Sequence, residues 1–96
     1  MNMNQILKQA QQMQKDMLKA QEEVGKMTFT ATKDLVTVEV NGNRKVTKVT
    51  LSEDIDTDDI EMLEDMIMVA INNTFKDIDD YREQKMSKFG NIPGLF

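Results

Sequence analysis

Residues 8–27 read KQAQQMQKDMLKAQEEVGKM, and the spacing of apolar side chains in and around this stretch decides the fold of the N-terminal part of the chain. Apolar residues recur there in steps of three and four, which at about 100° per residue places them on one side of an α-helix. They are Met3, Ile6, Ala10, Met13, Met17, Ala20, Val24 and Met27, called the apolar seam below. Heptad spacing is typical of a helix that packs along another helix, so we expect the seam to pack this helix onto a second one.

Four lysines form a separate stripe on the same helix, called the lysine row below. Lys8, Lys15, Lys19 and Lys26 fall within about 40° of one another and nearly opposite the seam. Five glutamines surround the first half of the row: Gln5, Gln9, Gln11, Gln12 and Gln14. Solubility alone explains a charged face opposite an apolar one. The alternative is that the lysines contact phosphates along about 27 Å of helix, with glutamines adding hydrogen bonds.

Composition excludes several classes of function. The chain has 96 residues, enough for one domain, and it contains neither cysteine nor histidine. Disulfides, thiolate chemistry, zinc sites of the usual ligand set and His-based acid–base catalysis are therefore excluded. We find no nucleophile–base arrangement, no glycine-rich phosphate loop and no membrane-spanning run. We expect a cytoplasmic protein with no cofactor, no bound metal and no small-molecule substrate.

Charge is distributed unevenly along the chain. The net charge is −5, which by itself argues against nucleic acid as a partner. Residues 1–48, however, carry eight Lys/Arg and five Asp/Glu, whereas residues 49–96 carry four and twelve. Because the field at a surface depends on local arrangement, the whole-chain charge does not settle the question.

The middle of the chain predicts a strand meander over residues 27–51. MTFTAT (27–32), LVTVEV (35–40) and RKVTKVTL (44–51) are rich in β-branched residues, and the first two alternate with a period of two. Lys33-Asp34 predicts the first turn. Asn41-Gly42 predicts a tight second hairpin, because both residues tolerate positive φ.

A second long helix is predicted within residues 57–88. Thr57 or Asp58 would cap it after an acidic loop over residues 52–61. That loop lacks the spacing and the glycine of an EF-hand, so we interpret its acids as a cap and a solvated loop, not as a calcium site. One face of the helix carries Ile60, Leu63, Ile67, Ala70, Thr74, Ile78 and Tyr81. Residues 89–96, which include two glycines and a proline, predict a flexible tail.

The predicted fold class is therefore α+β, in the order α-β-β-β-α. Residues 1–26 form the first helix, from about Met3 to Val24 with Gly25 as its natural end. Two long helices flank a small antiparallel three-stranded sheet in a single domain over residues 1–96.

Two further groups of basic residues lie outside the first helix. Arg82, Lys85 and Lys88 fall in the last turns of the second helix, where cations complement the negative end of the helix dipole. Arg44, Lys45 and Lys48 are placed on the third strand, where basic residues protect an exposed edge.

Four segments together resemble the YbaB/EbfC family of bacterial nucleoid-associated proteins. They are KQAQQMQKDMLKAQEEV, LVTVEVNG, DIEMLEDMI and the closing NIPGLF, in the order the family has them and over nearly the whole chain. The resemblance implies a homodimer in which the strands of two protomers meet and the helices project like tweezers. It also implies binding of duplex DNA in the nucleoid, with the helices in contact with DNA and little sequence preference.

The residues and the resemblance together define a candidate DNA-binding site. It consists of Lys8, Gln12, Lys15, Lys19, Lys26, Arg82, Lys85 and Lys88. A homodimer is also expected because three short strands carry more valines than an exposed sheet of a monomer tolerates. The alternative function is a protein-binding clamp or adaptor, similar to a prefoldin-like holdase, without DNA affinity. An enzyme is the least favoured of the three.

Overall fold

The computed structural model describes residues 2–90 and contains two helices and one three-stranded antiparallel sheet in the order α-β-β-β-α, which confirms the predicted fold class. The elements are α1 (Met3–Lys26), β1 (Thr28–Lys33), β2 (Val36–Asn41), β3 (Val46–Leu51) and α2 (Ile60–Met86), followed by a 3-10 turn at Ser87–Phe89. Most of the predicted flexible tail, residues 91–96, lies outside the described residues. Phe89, which the sequence assigns to that tail, packs against the contact between the two helices.

Helix α1 begins at a side-chain cap and continues through its glycine. The Asn2 side chain accepts a hydrogen bond of 2.9 Å from the Gln5 amide, as expected at an N-cap. Gly25 does not end the helix, because α1 continues to Lys26 and β1 follows almost at once. Gly25 is buried against the β2–β3 loop, where a Cβ would meet the Asn43 side chain at 2.6 Å.

Strand β2 forms the centre of the sheet and of the main core. It pairs with β1 on one side and with β3 on the other, both antiparallel. Val36, Val38 and Val40 are fully buried under α2 because the pleat turns every second side chain to that face. The ring of Phe29 on β1 meets Tyr81 of α2 edge-on, with ring centroids 5.7 Å apart.

The β2–β3 connection lies where the sequence predicts a hairpin, but its conformation differs from the prediction. The residue with positive φ is Arg44 (φ 65°), and Gly42 does not take that conformation. The Asn41 side chain organises the wider loop by accepting from the Asn43 amide at 2.9 Å and from the Lys45 amide at 3.1 Å.

Gly42 is required by close packing against α1. A Cβ built on Gly42 would lie 1.8 Å from the Val24 carbonyl oxygen. The Gly42 amide donates to the Met27 carbonyl at 3.0 Å, so the loop is also bonded to the end of α1. The hairpin tip therefore sits directly on the last turn of α1.

A β-bulge aligns the apolar residues of β3. Val49 lies opposite Val38 and Val46 lies opposite Val40, with a register shift between Glu39 and Val40. Residues three apart on a regular strand point to opposite faces, and the extra residue of the bulge returns both valines to the face that α2 covers.

Helix α2 begins at Asp59, whose side chain accepts from the Met62 amide at 3.1 Å. The predicted caps were wrong by one or two residues, because Asp56 accepts from the Asp58 amide and holds the preceding segment in a turn. Of the predicted apolar face, Ala70, Thr74 and Ile78 are fully buried, whereas Ile60 is exposed. Met66 takes a core position that the prediction missed.

The apolar seam of α1 is buried over only part of its length. Met17, Ala20 and Val24 are buried, and the first two pack against Met86 and Phe89. Residues 2–16 are all exposed, including Met3 (70%) and Met13 (48%), because the buried contact of α1 with Met86 and Phe89 begins at Met17. The expectation that the whole seam packs onto α2 is wrong for this half.

The molecule is correspondingly elongated, with principal extents of 70 × 20 × 14 Å and a radius of gyration of 19.0 Å. A compact domain of this size would have a radius of about 12 Å. We call the projecting segment Met3–Asp16 the α1 arm.

The close approach at Gly42 makes a direct prediction. Gly42→Ala should lower the free energy of unfolding by at least about 2 kcal/mol, because its Cβ would overlap the backbone of α1. Gly25→Ala is the matched control, since the atoms nearest to its Cβ belong to the exposed Asn43 side chain and alanine favours the helix by about 1 kcal/mol. Urea unfolding followed by circular dichroism measures both, and equal losses would contradict the assignment.

Candidate nucleic-acid interface

The lysine row lies on one continuous helix and is fully presented to solvent. Lys8, Lys15, Lys19 and Lys26 are all exposed, and α1 runs unbroken from Met3 to Lys26. Among residues 2–90, the ion pairs are Lys33–Asp34, Arg44–Asp79 and Lys76–Asp80, so none of the four is neutralised by an ion pair there. The row is therefore a line of exposed positive charge about 27 Å long.

Charge within α1 is graded along its length. Residues 2–15 contain two lysines and no acidic residue, so the arm is purely cationic up to Lys15. The acids of α1 are Asp16, at the end of the arm, and Glu22 and Glu23 beyond it. An anionic polymer would therefore meet its most favourable field on the projecting half of the helix.

A groove between α1 and the end of α2 brings together part of the predicted site. Gln12, Lys19, Lys85 and Lys88 line this groove, whereas Lys8, Lys15 and Lys26 do not. Its other lining residues are Gln9, Met13, Asp16, Ala20, Glu23 and Phe89. The Gln12 side chain donates to Asp16 at 2.9 Å, and Lys88 Nζ lies 5.0 Å from the centroid of the Phe89 ring.

Some groove residues were missed by sequence reasoning although a signal existed. Gln9, Gln12, Asp16, Lys19 and Glu23 follow one another in steps of three and four, directly beside the seam. This spacing marks a polar stripe along the border of the contact with α2. The contribution of Phe89 had no such signal, because it depends on where the 3-10 turn places the ring.

Arg82 faces a different neighbour from Lys85 and Lys88. Its guanidinium donates to the Gly42 carbonyl at 2.5 Å, and its side chain is half-buried. Arg44 of the hairpin loop forms an ion pair with Asp79, one turn earlier on α2. The described contacts therefore tie Arg82 to the hairpin and not to the groove.

The basic residues assigned to the third strand are divided between loop and strand. Arg44 and Lys45 lie in the β2–β3 loop, and Lys48 lies on β3 opposite Glu39. β3 is an edge strand of the three-stranded sheet.

Residues 2–90 contain neither a metal-binding group nor a membrane-spanning helix. No group of His, Cys, Asp and Glu side chains there has an arrangement that holds a metal ion. Neither helix in that range is long and apolar enough to cross a membrane.

Known proteins are similar to this chain in sequence or in fold. The model of the YbaB/EbfC DNA-binding family matches residues 1–92. A nucleoid-associated protein of Agathobacter rectalis is 47% identical over 100 residues, covering 99% of this chain and 88% of its own. Another nucleoid-associated protein, from Pelotomaculum thermopropionicum, is 43% identical over 101 residues, covering 99% and 96%. The crystal structure of an uncharacterized protein from Helicobacter pylori shares the fold, with a TM-score of 0.72 and 20% identity over 88% of this chain and 91% of that one.

The position of Arg82 makes a prediction about stability. Arg82→Ala should lower the free energy of unfolding by about 1–2 kcal/mol, because the half-buried Gly42 carbonyl loses a charged donor. Lys88→Ala should change it by less than about 0.5–1 kcal/mol, because Lys88 is exposed. Urea unfolding compares them, and an unchanged Arg82 variant would show that this side chain is not needed by the hairpin.

Proposed function

The chain belongs to the YbaB/EbfC DNA-binding family, and on that premise we propose that it is a non-enzymatic protein of the bacterial nucleoid that binds duplex DNA as a homodimer. The observation that carries the proposal is the lysine row, exposed along the whole of α1 and unpaired among the described residues. The relatives at 43% and 47% identity bear the name nucleoid-associated protein, which supports the same function.

Binding proceeds mainly through phosphates. Each lysine neutralises a phosphate and releases condensed counterions, which favours association without reading the bases. The row spans about 27 Å, on the order of eight base pairs of B-DNA. Lys8 and Lys15 lie on the cationic arm, and Lys19 extends the contact toward the groove with Lys85 and Lys88.

Glutamines supply the uncharged part of the contact. Gln5, Gln9, Gln11 and Gln14 are all exposed on the arm. Their amides donate hydrogen bonds to phosphate or sugar oxygens, which position the duplex without specifying a sequence. Since these side chains lie on a single exposed helix with no fixed donor geometry, the preference among duplex sequences is small.

The acidic net charge is compatible with this mode of binding. α2 carries more Asp/Glu than Lys/Arg, and these acids repel a phosphate backbone from its exposed side. DNA therefore approaches α1, and the acids restrict the orientation of the complex.

The homodimer forms through the uncovered edge of the sheet. Val46, Val49 and Leu51 share the face of Val36, Val38 and Val40, yet α2 packs mainly on β1 and β2 and leaves these three exposed. β3 is also an edge whose outer backbone groups are free to pair. A second copy placed on β3 covers both the apolar side chains and the edge, and it presents a second lysine row to the same duplex.

A protein-binding clamp is the competing function, and one observation favours it. The arm exposes Met3, Ile6, Leu7 and Met13, the apolar helix tip that such a clamp requires. The two functions differ in their response to salt, because only phosphate binding weakens steeply as counterions are added.

Charge reversal within the lysine row tests the function. Lys15→Glu with Lys19→Glu should weaken binding to every duplex alike, and the salt slope should become shallower by roughly one for each phosphate that is no longer neutralised. Lys45→Glu with Lys76→Glu is the matched control, since it changes the net charge equally at exposed positions outside α1. Fluorescence anisotropy at several salt concentrations measures both. Equal duplex affinity of the two variants would favour the clamp. So would a parent protein whose duplex affinity does not change with salt concentration.

Two substitutions on β3 test the homodimer. Val49→Glu should convert the dimer to a monomer that remains folded, because Val49 is 44% exposed within the chain and becomes buried only against a second copy. Thr50→Glu adds the same charge to the opposite face of β3. A larger fraction of this variant should remain dimeric than of the Val49→Glu variant. Multi-angle light scattering reports the masses, and a monomeric parent at micromolar concentration would refute the homodimer.

A further inference from the structure

The α1 arm has an apolar side that its own described chain does not cover. Residues 3–16 are all exposed, and Met3, Ile6, Leu7 and Met13 lie on one side of the helix. The same seam is buried farther along, where Met17 and Ala20 pack against Met86. The spacing that produces a helix–helix contact at one end of α1 thus continues, without a partner among residues 2–90, at the other.

We propose that the α1 arm pairs along its apolar side with the α1 arm of a second dimer, which makes a four-chain assembly. The partner is another copy of this chain. The assembly rests on the homodimer proposed above, and the arm provides a second self-association surface separate from β3.

The borders of the arm's apolar side favour pairing with an identical helix. Gln9 and Gln14 lie beside it, and the charged residue beside it within the arm is Asp16 at its very end, so two copies approach with little of the charge repulsion that decides partner choice at such borders. Lys8 and Lys15 lie on the opposite side of the helix. Two arms in contact therefore keep their lysines facing outward.

Helix stability gives a second reason. The arm continues a helix whose other half is packed, and most helical stability in proteins comes from packing an apolar face. The arm lacks that packing within its own described chain, whereas an arm of equal length covers its apolar side from end to end. Pairing of a heptad seam with another heptad seam is the contact that this spacing favours.

The two self-association surfaces lie in different parts of the molecule. The sheet packs on α2 around Met66, Ala70 and Ile78, whereas the arm begins at the other cluster, around Met86 and Phe89, and continues away from it in a molecule 70 Å long. A dimer built on β3 therefore leaves its arms available to another dimer. With DNA on the lysine rows, paired arms join two duplexes.

The test removes the apolar side chains without changing charge. Ile6→Gln with Met13→Gln should raise the dissociation constant of the four-chain species at least about tenfold and leave the two-chain species intact. Leu18→Gln is the control, because it removes an equally exposed apolar residue of α1 beyond the arm. Sedimentation without DNA measures assembly, and anisotropy measures duplex affinity separately, so loss of DNA binding is not mistaken for loss of pairing.

Cysteine crosslinking locates the contact, since the chain has no cysteine of its own. Ala10→Cys lies midway along the apolar side and should form a disulfide between chains in a species of four-chain mass. Gln5→Cys, about 140° away around the helix, should form much less.

Three outcomes would overturn the proposal. A parent protein that never exceeds two chains at any concentration tested would leave the arms unpaired. Crosslinked Ala10→Cys protein of two-chain mass would place the contact within one dimer. If only a chain ending at Gly90 assembles into four-chain species, the chain of 96 residues does not pair through its arms.

Discussion

The contact between Gly42 and the last turn of α1 is the constraint on which the rest of the structure depends. With no side chain at Gly42, the hairpin tip approaches the Val24 carbonyl more closely than any other residue type permits. The Gly42 amide bonds to Met27 and its carbonyl accepts from Arg82, so one residue joins α1, the sheet and α2. This junction fixes the direction in which α1 leaves the sheet, and with it the direction of the arm and the lysine row.

That direction carries α1 past its buried contact with α2. The two sides of the arm therefore differ in how much of their length is buried. The apolar side is buried only as far as Phe89 reaches, and the basic side is exposed throughout. Positive charge is concentrated on a projecting helix, while most acids lie in the acidic loop and on α2. A chain with a net charge of −5 thus presents a basic face on one projecting helix.

The bulge in β3 has a comparable effect on association. By turning Val46 and Val49 to the same face as Val38, it gathers apolar side chains on an edge that α2 does not cover. Without the bulge, one of these valines would point to the other face, and the edge would carry less apolar area. Lysines on one helix and valines on one strand thereby form two separate exposed surfaces.

The sequence by itself determined the order of elements and the alternation that buries Val36, Val38 and Val40. It also determined that the lysine row and the apolar seam lie on opposite sides of α1. These features follow from residue periods of 2 in a strand and 3.6 in a helix, within one segment of the chain. It did not determine where the seam stops being buried, which depends on where α2 ends in space relative to α1. The local pattern assigns Gly42 to a turn conformation, yet its role is packing against a residue 18 positions earlier. Arg82 is grouped with Lys85 and Lys88 by sequence distance, although residues three apart on this helix meet different neighbours. Only the tertiary structure decided these points, because each depends on contacts between segments whose separation no local pattern encodes.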